Sequence, residues 1–186
     1  APELSTHGIL TRCRVTVVCT TDDPVDDLAQ HLAIKKTKLE TRVYPTFRPD
    51  KGLQVNNPAA LNAWIGQLEA RTNMEIQNLD TFLSALKSRH DFFHSVGARV
   101  SDHGLENFPE VECTEAEAKA IFAAAREGTA ATPEQTSKFV WFMMLFFGRL
   151  DAEAGWTKQL HLGPLRNTNS RLLKRIGADA GVDSIG

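Results

Sequence analysis

The chain has 186 residues, 42% hydrophobic and 24% charged, with 21 Lys and Arg against 23 Asp and Glu for a formal net charge of -2. This composition excludes a disordered, collagen-like or coiled-coil chain and allows one domain that buries about 70% of its extended surface. No basic stripe for nucleic acid is expected from such a balance, and the longest apolar run, the nine residues Phe139 to Phe147, is too short to span a bilayer.

The first predicted element is a buried strand from Arg14 to Thr20, carried by Val15, Val17 and Val18. Asp23-Pro24 then predicts a helix to about Lys35, with Asp23 as N-cap, Pro24 at the first helical position and Asp26 at N3. A second strand is expected near Thr41 to Pro45, followed by an ordered loop, Thr46 to Asp50. Asn57-Pro58 begins a helix with Leu61, Trp64, Ile65 and Leu68 at offsets of three and four. Another helix, Leu79 to Phe93, aligns Leu79, Leu83, Leu86, His90 and Phe93. Gly97 breaks it, and Ala98 to Ser101 is a third strand. Thr114 and Glu117 form a capping-box pair for a helix ending near Arg126. Thr132-Pro133-Glu134 starts a long helix to about Glu153, whose apolar stretch Phe139 to Phe147 demands burial on several sides or a covering partner. Gly155 ends it, Thr157 to Leu162 is a fourth strand, and a short helix follows near Ser170 to Ile176.

Every strand is separated from the next by helical crossover, which predicts an α/β chain of about four parallel strands with crossover helices outside. The pattern fits both an open three-layer sandwich and half of a closed eight-stranded barrel, whose full length is about 250 residues. Three cysteines without a Cys-x-x-Cys pair predict reduced thiols and a cytoplasmic setting. No secretory signal opens the sequence. A start on Ala1-Pro2-Glu3-Leu4 and a stop at Gly186 fit a processed or trimmed product and a piece of something larger equally well.

In either fold, chemistry belongs at the carboxyl ends of the strands. There the sequence places Thr20-Thr21-Asp22-Asp23, then Arg48 and Asp50, then Asp102 and His103, then His161 and Arg166. Arg48, stiffened by Pro49, could clamp a carboxylate through two parallel hydrogen bonds or simply pair with Asp50. Asp102-His103 could supply a carboxylate and an imidazole for proton transfer or metal support, or be a cap and a surface histidine. His161, if buried, needs a partner on each ring nitrogen, which suits a base or a metal ligand as well as a structural role. Arg166-Asn167-Thr168-Asn169 could bind sugar hydroxyls or cap and turn the chain. His90 and His94 share a helix face but lack the glutamate of a zincin. His7 and His31 are expected at the surface. Cys13 and Cys19 are expected to pack on one side of the first strand. Walker, dinucleotide and Gly-x-Ser-x-Gly patterns do not occur.

The strand-end blocks carry a family resemblance. Thr20-Thr21-Asp22-Asp23-Pro24, Phe47-Arg48-Pro49-Asp50, Val100-Ser101-Asp102-His103-Gly104-Leu105 and His161-Leu162-Gly163-Pro164-Leu165-Arg166-Asn167-Thr168-Asn169 resemble the uronate (glucuronate) isomerase family of amidohydrolase-like metal-dependent barrels. The tail Gly181-Val182-Asp183-Ser184-Ile185 matches as well, while Thr168 stands in place of the usual asparagine. The blocks lie in the family's order across the chain. The resemblance implies an internal half-barrel segment, strands two to five of a distorted (β/α)8 TIM barrel, with helical insertions around 57–95 and 114–154. It implies interconversion of D-glucuronate with D-fructuronate and of D-galacturonate with D-tagaturonate by proton transfer from C2 to C1 through a cis-enediol. It implies a divalent metal, zinc in this reading, with most ligands outside this chain; no His-x-His pair is present.

The site residues that follow are Asp102, His103 and His161 as catalytic groups, with His161 also a metal ligand. Arg48, Asp50, Arg166, Asn167 and Asn169 are the substrate-binding ones. The expected partners are the uronate sugar and the remainder of the barrel or a second polypeptide, in a homo-oligomer, without nucleic acid or membrane. The segment alone is expected to be inactive. Two other classes remain open: a non-catalytic half-barrel whose exposed strand edges pair with a partner, and a metal-dependent hydrolase of the amidohydrolase-like class.

Overall fold

The computed structural model describes residues 4–178 and 180–185. Four parallel strands lie side by side in chain order. β1 (Val17–Cys19) pairs with β2 (Arg42–Tyr44), and β3 (Val100–Leu105) pairs with β4 (Thr157–Leu162) in full register, Val100 opposite Thr157 and Leu105 opposite Leu162. Phe47 joins the two pairs. It forms parallel bridges to Asp22 and Ser101, donating its amide to Val100 O at 3.1 Å and accepting from the Asp102 amide at 3.0 Å. Among the described residues this arc does not close on itself.

The helices fill the connections. α1 (Thr6–Arg12), capped by the Ser5 hydroxyl, precedes β1, and the sequence analysis did not anticipate it. α2 (Ala29–Ile34) is shorter than expected and starts after Leu28 in the left-handed region, not at Asp23. The reason lies in the carbonyls and the carboxylate. Arg89 takes Pro24 O at 2.6 Å and Asp26 O at 2.8 Å, while the Asp23 carboxylate accepts from the Val25 amide and the Trp64 indole. The groups that would start a helix are thus spent on a turn pinned by distant side chains.

A second layer comprises α3 (Pro58–Thr72), α4 (Leu79–Val96), α5 (Glu115–Arg126) and α6 (Pro133–Ala154). The expected caps hold: Asn57 precedes Pro58, Thr114 and Glu117 form the capping box, and Thr132 caps above Pro133. The fourth cap, Asn78 with Thr81, starts α4. Apolar faces then lock the layer. Phe122 stacks on Phe82 at 4.9 Å, and Phe139 lies 6.2 Å from Phe122. Phe47, fully buried, meets Phe93 and Phe147 edge-on and so ties the strands to α4 and α6. Burial of each such ring is worth roughly 1.5–3 kcal/mol. On α6 the buried face is Phe139, Met143, Met144, Phe147 and Leu150, while Leu145 stays 43% exposed. On α4, Phe82 takes the buried place and Leu83 is only half-buried.

Beyond β4 the chain crosses at Gly163 into β5 (Pro164–Leu165), then α7 (Ser170–Ile176), and returns as β6 (Ser184–Ile185) antiparallel to β5. This antiparallel pair departs from the all-parallel expectation. Cys13 and Cys19 are both exposed, and Cys13 follows α1 outside the strand, so neither packs as expected. His31 is buried, not at the surface: its Nε2 lies 2.7 Å from the Thr20 hydroxyl and 3.7 Å from Asp22. No helix among the described residues is long and apolar enough to cross a membrane.

Candidate active site

The site forms where the β2 extension, β3 and β4 run together. β3 extends to Leu105, well past the expected end at Ser101, because it pairs with all of β4. Asp102 and His103 therefore lie inside the strand, and consecutive strand residues face opposite sides. The structure separates them accordingly. Asp102 faces Gln159 and His161, whereas His103 points into the helix layer, fully buried against the Phe147 ring at 5.4 Å. The two do not act as one carboxylate–imidazole unit.

On the Asp102 side, His161 Nδ1 lies 2.9 Å from Asp102 Oδ1, which also accepts from Gln159 Nε2 at 3.3 Å. A carboxylate can only accept, so Nδ1 carries the proton and the His161 Nε2 lone pair faces outward. Two guanidiniums converge on that atom, Arg48 Nη2 at 3.3 Å and Arg166 Nη2 at 3.2 Å. Arg48 is held by Asp50, Nε to Oδ2 at 2.9 Å, with Nη1 3.6 Å from Asp102 Oδ2. Arg166 is held from the tail by Asp183, whose other oxygen accepts from the Asn167 amide at 2.9 Å. Gly104 lies opposite His161, and a Cβ there would sit 2.5 Å from both Arg48 Nη2 and His161 Nε2. Only a glycine leaves room for the pair.

Behind β3 a second polar set is buried. His103 Nε2 lies 3.1 Å from Lys158 Nζ, and its Nδ1 faces Asp50 Oδ1 at 3.5 Å. Lys158 approaches Asp151 at 3.4 Å, and Asp151 also accepts from Ser101 at 2.7 Å and faces His90 Nε2 at 3.3 Å. Burial holds the His103 pKa below its ordinary value, with the Lys158 charge adding to it against the pull of Asp50. Burial also lowers that of Lys158, against the attraction of Asp151. For Asp50, burial alone would raise the pKa, but the facing His103 imidazole and hydrogen bonds from the Gly104 amide and Arg48 outweigh it and hold the carboxyl below its usual range. Asp151 follows the same pattern: burial is overcome by His90, Ser101 and Lys158.

The structure thus brings together Arg48, Asp50, Asp102, His161 and Arg166, with His103 behind them. Asn169 is a helix cap, accepting from the Leu172 amide at 3.0 Å, and does not reach the other site residues. Asn167 turns the chain in the left-handed region at φ 54. Sequence reasoning did not single out Asp183, Lys158, Asp151, His90 or Gly104 for this site. Asp183 sat in a recognisable tail motif and Gly104 in the β3 block, but nothing local to Lys158 or Asp151 marks them.

Among the described residues no group of three His, Cys, Asp or Glu side chains could hold a metal ion. His161 Nε2, the nitrogen that could take a metal, faces the Arg48 and Arg166 guanidiniums here.

Comparisons with known proteins place the chain in a family. A family model described as glucuronate isomerase matches residues 1–186. The uronate isomerase of Opitutus terrae is 59% identical over 97% of this chain, and that of Solibacter usitatus 53% identical over 100%. The chain covers 38% and 40% of those two proteins, so it spans about two fifths of the curated relatives it matches. The crystal structure of uronate isomerase from Thermotoga maritima superposes on the whole chain with a TM-score of 0.92 at 32% identity, using 41% of its own length. The glucuronate isomerase of Caulobacter crescentus shares the fold with a TM-score of 0.89 over the whole chain and 38% of its own. The strand-end blocks, their geometry and these matches over the full length concur: the chain belongs to the glucuronate isomerase family.

Proposed function

We propose that the protein to which this chain contributes is a uronate isomerase, interconverting D-glucuronate with D-fructuronate and D-galacturonate with D-tagaturonate. The relatives at 59% and 53% identity support the reaction class. In this reading the arc of β1 to β4 is strands two to five of a distorted (β/α)8 barrel, with insertions around 57–95 and 114–154, and the rest of the polypeptide completes the site. The divalent metal that the family resemblance implies, zinc in this reading, takes most of its ligands from outside this chain, and His161 is the ligand this chain would offer it.

The observation that carries the proposal is the convergence of Arg48 and Arg166 on one atom, His161 Nε2, at 3.3 and 3.2 Å. Each guanidinium is already held by a carboxylate, Arg48 by Asp50 and Arg166 by Asp183, yet each leaves its Nη2 aimed at the same point, and a carboxylate is the planar anion that two such donors grip best. The uronate carboxylate takes the two guanidiniums, and His161 Nε2, released from them, accepts from the neighbouring sugar hydroxyl. Asp102 keeps the imidazole in the tautomer this needs. With C–C bonds of about 1.5 Å, C2 of the extended sugar lies roughly 5 Å from the carboxylate carbon. These residues therefore bind and orient, which turns remote binding energy into alignment at C1 and C2. Asn167 and Asn169 serve the turn and cap that carry Arg166.

The test is turnover by the full-length enzyme of D-glucuronate and D-galacturonate against D-glucose, which has the same aldose end but no carboxylate. Ketose should form from both uronates, with deuterium from D2O entering at C1 if a proton is transferred, and D-glucose should not turn over. Equal turnover of D-glucose would overturn the anion clamp.

A further inference from the structure

We propose that Lys158 and His103 are positioning residues that fix Asp50 and, through it, the seat of the Arg48 guanidinium. This rests on the reading of Arg48 as a substrate clamp, and it assigns a purpose to a polar set behind β3 that meets the carboxylate site at Asp50.

The chain of contacts is directional. Lys158 leaves β4 on the face turned toward α6, where Asp151 Oδ2 lies 3.4 Å from its ammonium and the Phe147 ring 5.7 Å below it. Asp151 is itself fixed by the Ser101 hydroxyl at 2.7 Å and by His90 of α4 at 3.3 Å. An ammonium donates and cannot accept. The His103 Nε2 at 3.1 Å must therefore be the accepting nitrogen. With Nε2 accepting, the ring proton resides on Nδ1. That N–H aims at Asp50 Oδ1 across 3.5 Å, and neither atom has a hydrogen-bond partner elsewhere among the described residues. The second Asp50 oxygen accepts from Arg48 Nε and from the Gly104 amide, each at 2.9 Å.

Asp50 is thus approached by an N–H on one oxygen and carries two hydrogen bonds on the other. Without Lys158, the buried Nε2 acceptor loses its donor, and the ring is free to turn away from Asp50 in search of another. Asp50 would swing, and the Arg48 guanidinium with it. The 3.5 Å separation leaves slack that can close when an anion pulls Arg48 outward, as catalytic contacts commonly tighten only with substrate bound.

A double-mutant cycle in the full-length enzyme tests this. Lys158→Met keeps the alkyl packing and removes the charge; Arg48→Ala removes the clamp. KM and kcat for D-glucuronate are measured in the parent, both single variants and the double variant. Lys158→Met should raise KM about tenfold, the low end of what loss of one charge-assisted hydrogen bond costs, with a smaller effect on kcat. In the Arg48→Ala background the same change should alter KM by less than about twofold, since residues acting through one another are not additive. An equal effect in both backgrounds, or none in either, overturns the positioning role. Arg48→Ala that leaves KM unmoved would instead overturn the clamp itself, a distinguishable result. His103→Phe, which keeps the ring against Phe147 and removes both nitrogens, is the second probe should Lys158→Met fail to fold, and the same pattern is expected. Failure of both to fold overturns the proposal in favour of a purely structural role.

Discussion

Gly104→Ala should separate binding from stability. The residue lies in β3 and is not among the glycines in the left-handed region, so alanine meets no backbone strain there. The unfolded chain loses freedom, which by itself stabilises by about 0.4–1 kcal/mol. The added methyl would stand 2.5 Å from Arg48 Nη2 and 2.5 Å from His161 Nε2. Ordinary contact requires about 3.5 Å, so both groups must recede by roughly 1 Å. Each is the far end of a side chain and can move, which protects the fold but spoils the convergence of Arg48 and Arg166 on one point. Loss of one charge-assisted hydrogen bond to the carboxylate costs about 1.5–3 kcal/mol, or about 10- to 150-fold in kcat/KM. A displacement of that size in a positioning group has comparable consequences. The assay is initial-rate isomerisation of D-glucuronate by the full-length enzyme, with the thermal midpoint measured alongside. The expected result is a loss of kcat/KM in that range, mostly in KM, with the midpoint within a few degrees of the parent. An unchanged KM in a folded variant would refute the placement of the sugar carboxylate between Arg48 and Arg166.

Acidification should destabilise the protein in two stages of the same sign. His103 is held below the ordinary imidazole value of 6.5, so its contribution is complete above that pH and is lost as pH falls through its lower folded value. Asp50 and Asp151 are held below the ordinary carboxyl value of 3.8, so theirs persists to that pH and is lost below it. Asp151→Asn should cost about 2 kcal/mol at neutral pH, because Lys158 is left half-buried beside a neutral amide, and should shrink the lower stage; urea titrations of parent and variant across pH 3 to 8 would show it, and superimposable acid profiles would contradict it. Phe122→Ala removes a fully buried ring stacked on Phe82 and should destabilise by about 3–5 kcal/mol in the same titration. A cost below about 1 kcal/mol would mean that the helical layer is not packed as described.

The helix starts were legible because capping is local chemistry: Asn57, Thr114 and Thr132 satisfy amides three residues away. The Asp23 start failed for the opposite reason, since Arg89 claims its neighbouring carbonyls from more than sixty residues away. His31 was expected at the surface because nothing adjacent partners it, yet Thr20 and Asp22 hold it from eleven and nine positions away. Strand-end polar groups could be read from the alternation of helices and strands, and Arg48, Asp102, His161 and Arg166 do converge. Which side of β3 each residue takes could not be read, because that needed the strand to be longer than its apolar pattern suggested.

That length changes the meaning of the Asp102-His103 dipeptide. With β3 paired along all of β4, Asp102 and Gly104 share one side with His161, while Ser101 and His103 share the helix side with Lys158 and Asp151. Two polar systems of different purpose run along one strand, one residue out of phase. Asp50 is the residue that touches both, through Arg48 on one side and His103 on the other. A slip of β3 by one residue against β4 would exchange the two sets and leave an unpaired carboxylate in the helix layer. The full register is therefore a requirement of the site as well as of the fold, and Gly104 is where the Arg48 guanidinium finds space to meet His161.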